Sequence, residues 1–289
     1  MKTPQEAYDL YDQYCHGDID RRAFFDGLGR LAVGGVTVSA LAGALMPNYA
    51  LAQQVAPGDP TIETERFSYA SPKGAGDMQG LLAAPRKAGK VPSVVLVHEN
   101  RGLNPYIEDV ARRLAKAGFL ALAPDALFPL GGYPGNDDDG RTLQRQRDRG
   151  EMLEDFIAAS EVLSTHPKST GKVGAVGFCF GGWVVNYMAI KAPALDAAVP
   201  YYGGWPEASE AKDVRVPLME QLAGLDTRVN AGWPPYEEAL LAAQKTYSVH
   251  VYSDVNHGFH NDSTSRFAPD EAQLSWDRTL AFFREHLAS

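Results

Sequence analysis

The stretch Lys172-Val173-Gly174-Ala175-Val176-Gly177-Phe178-Cys179-Phe180-Gly181-Gly182-Trp183 decides the fold. Lys172 to Val176 reads as a short buried strand, and Trp183 to Ala192 continues as a helix, so a sharp strand-to-helix turn is centred on Cys179. Such a turn strains its central residue and brings backbone very close on either side, which requires small residues two positions before and after it. Gly177 and Gly181 stand at those positions. An unpaired cysteine is most often a small buried apolar residue, but glycines at both spacings turn the reading toward a nucleophile. The turn also sets Cys179 at a helix N-terminus, where the helix dipole and free N–H groups favour thiolate and lower a pKa of about 8.5.

Working outward, strand-like and helix-like patterns alternate along the chain. Ser93 to Val97 is apolar on both faces and ends in His98-Glu99-Asn100-Arg101-Gly102. Asn104 to Ala117 has helical periodicity, Phe119 to Ala123 is another buried strand, and Pro124 to Gly140 is a Gly/Pro/Asp-rich loop ahead of a helix over Leu143 to Leu163. Asp137-Asp138-Asp139 reads as a run of solvated turn aspartates rather than a calcium loop, because no spaced ligand pattern follows. Strands at Ala197 to Tyr202, Val216 to Leu222 and Tyr247 to Tyr252, with helices at Tyr236 to Gln244 and Asp270 to His286, complete a mostly parallel central sheet with helices on both faces. Ligands in such sheets bind beyond the carboxyl ends of the strands.

A thiol nucleophile needs a base, and in this architecture the partners follow in the order nucleophile, acid, histidine. Asp226 follows the strand ending near Leu222, and His257 follows the strand ending near Tyr252. His257 is the expected acid–base and Asp226 its orienting carboxylate. The oxyanion donors are expected to be the backbone N–H groups of Phe180 and Asn100. Glu99 is either the base that activates the thiol or an ion-pair partner of Arg101. Arg101, Tyr202 and His260 are candidate substrate-binding residues. His260 and His257 lack a convincing third ligand, so neither a metal nor a cofactor is expected. His16, His166 and His250 have no such context and read as structural or surface residues.

The 27 basic and 36 acidic side chains give a formal charge of −9, with no basic stripe to track a phosphate backbone, so nucleic acid is not an expected partner. No run reaches the ~18 consecutive apolar residues of a membrane-spanning helix. The two cysteines, Cys15 and Cys179, cannot build a disulfide framework. Residues 1–52 read as a twin-arginine leader: Arg21-Arg22 precede an apolar stretch from Leu31 to Met46, and Ala50-Leu51-Ala52 offers a cleavage site that would leave Gln53 first. That predicts passage through the export machinery to the periplasm. Glu6, Asp9, Asp12, Asp18 and Asp20, with only Lys2 opposing them, favour the alternative of a cytoplasmic protein whose N-terminal helical extension packs on the body or mediates self-association. Residues 53–60 form a linker and 61–289 the catalytic domain.

The segment Gly-Phe-Cys-Phe-Gly-Gly, with Asp226 and His257 downstream, resembles the dienelactone hydrolase (carboxymethylenebutenolidase) family from about Thr61 to the C-terminus. The resemblance implies an α/β-hydrolase fold, a Cys-His-Asp triad acting on a small ester or lactone through an acyl-enzyme, and a role for Glu99 in deprotonating Cys179. The leader and Asn256 to Thr264 resemble a branch bearing a twin-arginine segment. One departure is that Gly258-Phe259-His260-Asn261 lacks the arginine with which the family holds a substrate carboxylate. Arg101, Arg145 and Arg228 are the possible substitutes, and dienelactone itself is set aside in favour of some other ester, lactone or thioester. The competing readings are a general carboxylesterase or thioesterase, a redox-active thiol on a hydrolase scaffold, and a non-catalytic binding scaffold.

Overall fold

The computed structural model describes residues 3–33, 37–50 and 52–288. Lys2, Gly34 to Val36 of the apolar leader stretch, and Leu51 of the small-residue site lie outside the described residues. The body is built on eight strands: β1 (Ile62–Ser71), β2 (Gly76–Pro85), β3 (Val91–Val97), β4 (Leu120–Pro124), β5 (Ser169–Phe178), β6 (Ala197–Tyr201), β7 (Leu218–Ala223) and β8 (Tyr247–Tyr252). They form one sheet in the order β1-β2-β4-β3-β5-β6-β7-β8, antiparallel where β2 meets β1 and β4 and parallel elsewhere.

Alternation along each strand divides the core. Val95 and Val97 of β3 face a cluster with Met152, Phe156, Val184 and Met188, while Val94 and Leu96 face another with Ile107, Val110 and Phe283. Helix α4 (Pro105–Lys116) and helix α10 (Pro269–His286) cover the second face; α6 (Arg149–Thr165), α7 (Phe180–Lys191) and α9 (Trp233–Ala242) cover the first. Each fully buried large apolar side chain contributes on the order of 1.5–3 kcal/mol, so both faces of the sheet are needed. Helix starts follow capping chemistry: Asn104 accepts from the Ile107 N–H with Pro105 in the first turn, and Asp148 accepts from the Glu151 N–H.

Two expectations need correction. The helix read over Leu143 to Leu163 is broken, because α5 (Asp137–Gln144) ends before α6 begins behind its Asp148 cap. Asp137 is not a solvated turn residue: it is buried in the first turn of α5, where it accepts from Arg101 at 2.9 Å and from the hydroxyl of Tyr49 at 2.8 Å.

Three N-terminal helices, α1 (Gln5–His16), α2 (Arg21–Leu31) and α3 (Val38–Leu45), share a small apolar cluster of Tyr11, Phe24, Leu28 and Leu45. Asp20 caps α2, so Arg21 and Arg22 occupy its first turn. Helix α1 lies against the body: Gln5 Nε2 donates to Asn256 at 2.5 Å, the Tyr8 hydroxyl to the Ser265 carbonyl at 3.1 Å, and Asn100 Nδ2 to the Cys15 carbonyl at 2.7 Å. Among the described residues no helix is long and apolar enough to cross a membrane.

Candidate active site

The chain runs from β3 through α4 to β4 on one side of β3, then returns to β5 on the other. Such a reversal opens a crevice at the carboxyl ends of the two central strands. Val97 pairs with Gly177 in parallel register, so the loop after β3 and the turn after β5 emerge side by side. Cys179 sits in that turn at φ 57° and ψ −112°, a strained region for a side-chain-bearing residue. The glycines explain how it is held: a Cβ on Gly181 would lie 2.3 Å from the Val97 carbonyl oxygen, and one on Gly177 would lie 2.2 Å from the Gly181 oxygen. Cys179 itself accepts at its carbonyl from Gly182 and Trp183 as α7 begins, and only 9% of its surface is exposed.

Asp226 and His257 meet across the ends of β7 and β8. His257 Nδ1 lies 2.6 Å from Asp226 Oδ2, and Asp226 Oδ1 accepts from the Val229 N–H at 3.1 Å, capping the short helix α8 (Thr227–Asn230). One donor atom from each of Cys179, His257 and His16 falls within 4.8 Å of the others. His16 was not expected here, since its sequence context marks it as a structural or surface residue. It closes the last turn of α1 with Nε2 3.5 Å from Cys179 Sγ. The signal that could have found it is the Asp12/His16 pair, one helical turn apart, which places a carboxylate behind an imidazole.

Burial alone raises a thiol pKa, yet the Cys179 thiol is held well below its ordinary value because His257 and His16 bring positive charge to it. His257 is pushed up to about 9: burial opposes its charge, but Cys179, Asp12 and Asp226 outweigh it. Asp226 is held low, burial working the other way and His257 prevailing.

Phe180 and Asn100 line the same cavity as Cys179, and the Asn100 side chain donates to the Cys15 carbonyl. Tyr202 also lines it, with its ring 4.8 Å from that of His257. Glu99 does not hydrogen-bond to the thiol; it is buried, accepts from Asn261 Nδ2 at 3.0 Å and lies 4.0 Å from Arg101. Burial pushes its carboxyl up, with Arg101 opposing. Arg101 is turned away to Asp137 and is not among the described residues lining the cavity. His260 is not among them either: it stacks on Phe178 at 5.0 Å, with Nδ1 2.7 Å from the Tyr106 hydroxyl. Burial, with Arg113 adding to it, pushes His260 down to about 3; its Nδ1 is engaged by Tyr106, and it is not part of the donor cluster that His257 forms with Cys179 and His16 among the described residues.

The cavity holds about 600 Å³. Arg141, Arg145, Arg147, Arg149 and Arg228 line it, and no Asp or Glu appears among its described lining residues. Arg147 and Arg141 are tied to Asp155 and Asp138, whereas Arg145 and Arg149 have no acidic partner among the described residues. Arg149 stacks 4.0 Å above the Trp183 ring. Of the arginines weighed from sequence, Arg145 and Arg228 reach the cavity; Arg141, Arg147 and Arg149 carried no motif that would single them out. Cys179, His16 and His257 are donor types that could hold a soft divalent metal. The surroundings argue against it, because Arg228 Nη2 is 3.2 Å from His16 Nε2 and the walls are cationic. The field suits a thiolate and an anionic ligand.

This sheet order, strained turn and strand-end constellation define a protein of the α/β-hydrolase fold. Residues 78–287 match the dienelactone hydrolase family, and the chain belongs to that family. Residues 2–33 match a separate family described as YqhI-like. The chain is 62% identical over 114 residues, 39% of its own length and 97% of the relative's, to the "Putative hydrolase fragment YghX" of Escherichia coli. It is 29% identical over 245 residues, covering 78% of its length and 99% of the relative's, to the "Putative carboxymethylenebutenolidase" of Synechocystis sp.. A solved structure, the "Putative Dienelactone Hydrolase" of Klebsiella pneumoniae, aligns with a TM-score of 0.68 and 26% identity over 77% of this chain and 99% of that one. The chain is accordingly a dienelactone hydrolase-like hydrolase.

Proposed function

We propose that this hydrolase cleaves a small anionic ester or lactone through a Cys179 acyl-enzyme, with His257 as acid–base and Asp226 as its orienting carboxylate. The observation that carries the reading is the strained Cys179, facing the cavity beside a His257 whose other nitrogen is already bound to Asp226. With Cys179 as thiolate and His257 protonated, Sγ attacks the carbonyl carbon, and the leaving oxygen takes the His257 proton as its bond to carbon breaks. Water then gives a proton to His257 and displaces Sγ, which returns as thiolate. The backbone N–H groups of Phe180 and Asn100 are the proposed oxyanion donors. Arg145 and Arg149, which line the cavity without an acidic partner among the described residues, support a negatively charged substrate. A ring-opened or ring-closed carboxylate of modest size fits such a cavity better than a neutral fat.

The test is turnover of paired esters that differ by one carboxylate, in wild type, Cys179→Ala and His257→Ala. Turnover that depends on both residues and favours the carboxylate by tenfold or more is expected. Equal kcat/KM for the pair supports a general carboxylesterase or thioesterase instead. A redox reading gains one observation, since Cys15 lines the cavity with Cys179. Peroxide that joins the two, in place of any ester turnover, would favour it. For the N-terminal segment, the contacts of α1 with Asn256, Ser265 and Asn100 support a retained extension over cleavage after Ala52 following export. The intact mass of protein recovered from periplasm and cytoplasm separates the two.

A further inference from the structure

Helix α1 ends on the reacting sulfur. Gly17 leaves the helix in the left-handed conformation at φ 85°, its N–H bonded to the carbonyls of Gln13 and Tyr14, and this fixes the turn that carries His16. The His16 ring is set by Nδ1, which lies 2.8 Å from the Asp12 carbonyl and 3.4 Å from Asp12 Oδ2. Nε2 then faces Cys179 Sγ at 3.5 Å. The ring meets that of His257 edge-on at 5.2 Å. Cys179 therefore has an imidazole on two sides, His16 backed by Asp12 of the same helix and His257 backed by Asp226 from the loop after β7. The helix is pinned to the loops that build the site, through Asn100, Asn256, Ser265, and the Asp12 contacts to Arg228 and Arg266 at 3.4 and 3.5 Å.

We propose that α1 is part of the catalytic centre: His16 is a fixed imidazolium that holds Cys179 as a thiolate, while the proton of His257 is the one that moves. This rests on Cys179 being the nucleophile. Three observations carry it. Glu99, the other group that could act on the thiol, is occupied by Asn261 and faces Arg101. His16 stands in the last turn of its helix, where the dipole favours a cation. Asp12 from α1 and the Cys179 sulfur from the turn after β5 favour its charge, while His257 and Arg228 from the strand-end loops oppose it. Arg228 is the nearer of these, 3.2 Å from Nε2, but Asp12 lies 3.4 Å from both it and His16 and offsets the repulsion. Burial works against a charged His16, yet Cys179 and Asp12 push it up to about 11. It keeps its proton across the range in which His257, at about 9, exchanges one.

The experiment uses the full chain and reads alkylation of Cys179 by iodoacetamide against pH, peptide by peptide, so that Cys15 is scored apart. Wild type, His16→Gln, His16→Lys and Asp12→Asn are compared, with kcat/KM for an aryl ester alongside. In His16→Gln the inflection is expected to rise by about one unit or more, a tenfold loss of thiolate at the acid end. The cationic His16→Lys should recover most of that loss, which also shows that the altered helix still docks, and Asp12→Asn should fall between. An inflection unmoved by His16→Gln overturns the proposal. So does faster alkylation and faster hydrolysis in that variant, which would make α1 a plug over the site. If wild type turns over no ester while the inflection still moves, the pairing stands and the hydrolase reading falls.

Discussion

Replacing Asp226 by asparagine separates two tasks that one carboxylate performs. Oδ2 accepts from His257 at 2.6 Å, and Oδ1 caps α8 through the Val229 N–H at 3.1 Å. Asparagine is as good an N-cap as aspartate, so the cap survives and stability should change by less than about 1 kcal/mol. The charge does not survive. Without it the His257 tautomer is no longer fixed and its imidazolium loses a partner whose side chain is 2% exposed, a setting in which little water can compensate. Loss of an orienting aspartate costs about 10²–10⁴ in rate, or roughly 3–5 kcal/mol of transition-state stabilisation. Asp226→Ala should lose the same activity and about 1 kcal/mol of stability as well, because the cap goes with it. The His257 pKa, now about 9, should fall in both variants, since a carboxylate that favours the charged ring is gone. The assay is kcat/KM across pH 6–10 (roughly the range spanning both groups), with a thermal melt on each protein. Less than a tenfold loss in Asp226→Asn, with an unchanged melt, would leave Asp226 as a cap alone, with no part in orienting His257.

Gly181→Ala should cost about 3 kcal/mol or prevent folding, because the added methyl would sit 2.3 Å from the backbone oxygen of Val97, which has nowhere to go; denaturant melts check it. Arg149→Ala should raise KM for carboxylate esters by about three- to tenfold and leave neutral aryl esters unchanged, since it removes a cavity arginine without an acidic partner; equal effects on both substrates would remove it from anion binding. Glu220, buried in β7, has its carboxyl pushed well above the usual range by burial, with Asn186 offsetting part of it. A raised folded pKa means that its stability contribution is full below the unfolded value of about 4.3 and is lost as pH rises toward the folded value, at about 1.4 kcal/mol per unit. Glu220→Gln should therefore gain stability over wild type at about pH 8 and much less at about pH 5; an equal gain at both would contradict that sign.

The central sheet was legible because both-face apolar runs such as Val94 to Val97 have few other folds to join, and because Gly177 and Gly181 state a backbone requirement. Asp226 and His257 could be ordered along the chain from strand ends alone, and the structure brings their side chains together. What stayed hidden depends on side-chain direction at the ends of strands. Glu99, Asn100 and Arg101 follow one another, yet Asn100 lines the cavity, while Glu99 and Arg101 face Asn261 and Asp137. His16 was hidden for a different reason: the Asp12/His16 spacing marks an oriented imidazole, but its contact with Cys179 spans 163 positions and depends on how α1 docks. Arg141, Arg147 and Arg149 were masked by the expectation of one continuous helix over this stretch, which the structure breaks between α5 and α6 beside the cavity.

The most direct test of the account is to trap the acyl-enzyme. The full chain is mixed with a slow aryl ester, quenched in acid and digested, and the peptide carrying Cys179 is weighed. The acyl mass is expected on Cys179, formed at the rate of the first turnover, with neither acyl mass nor turnover in Cys179→Ala. Turnover that persists in Cys179→Ala, with no acyl group on that peptide in wild type, would contradict it.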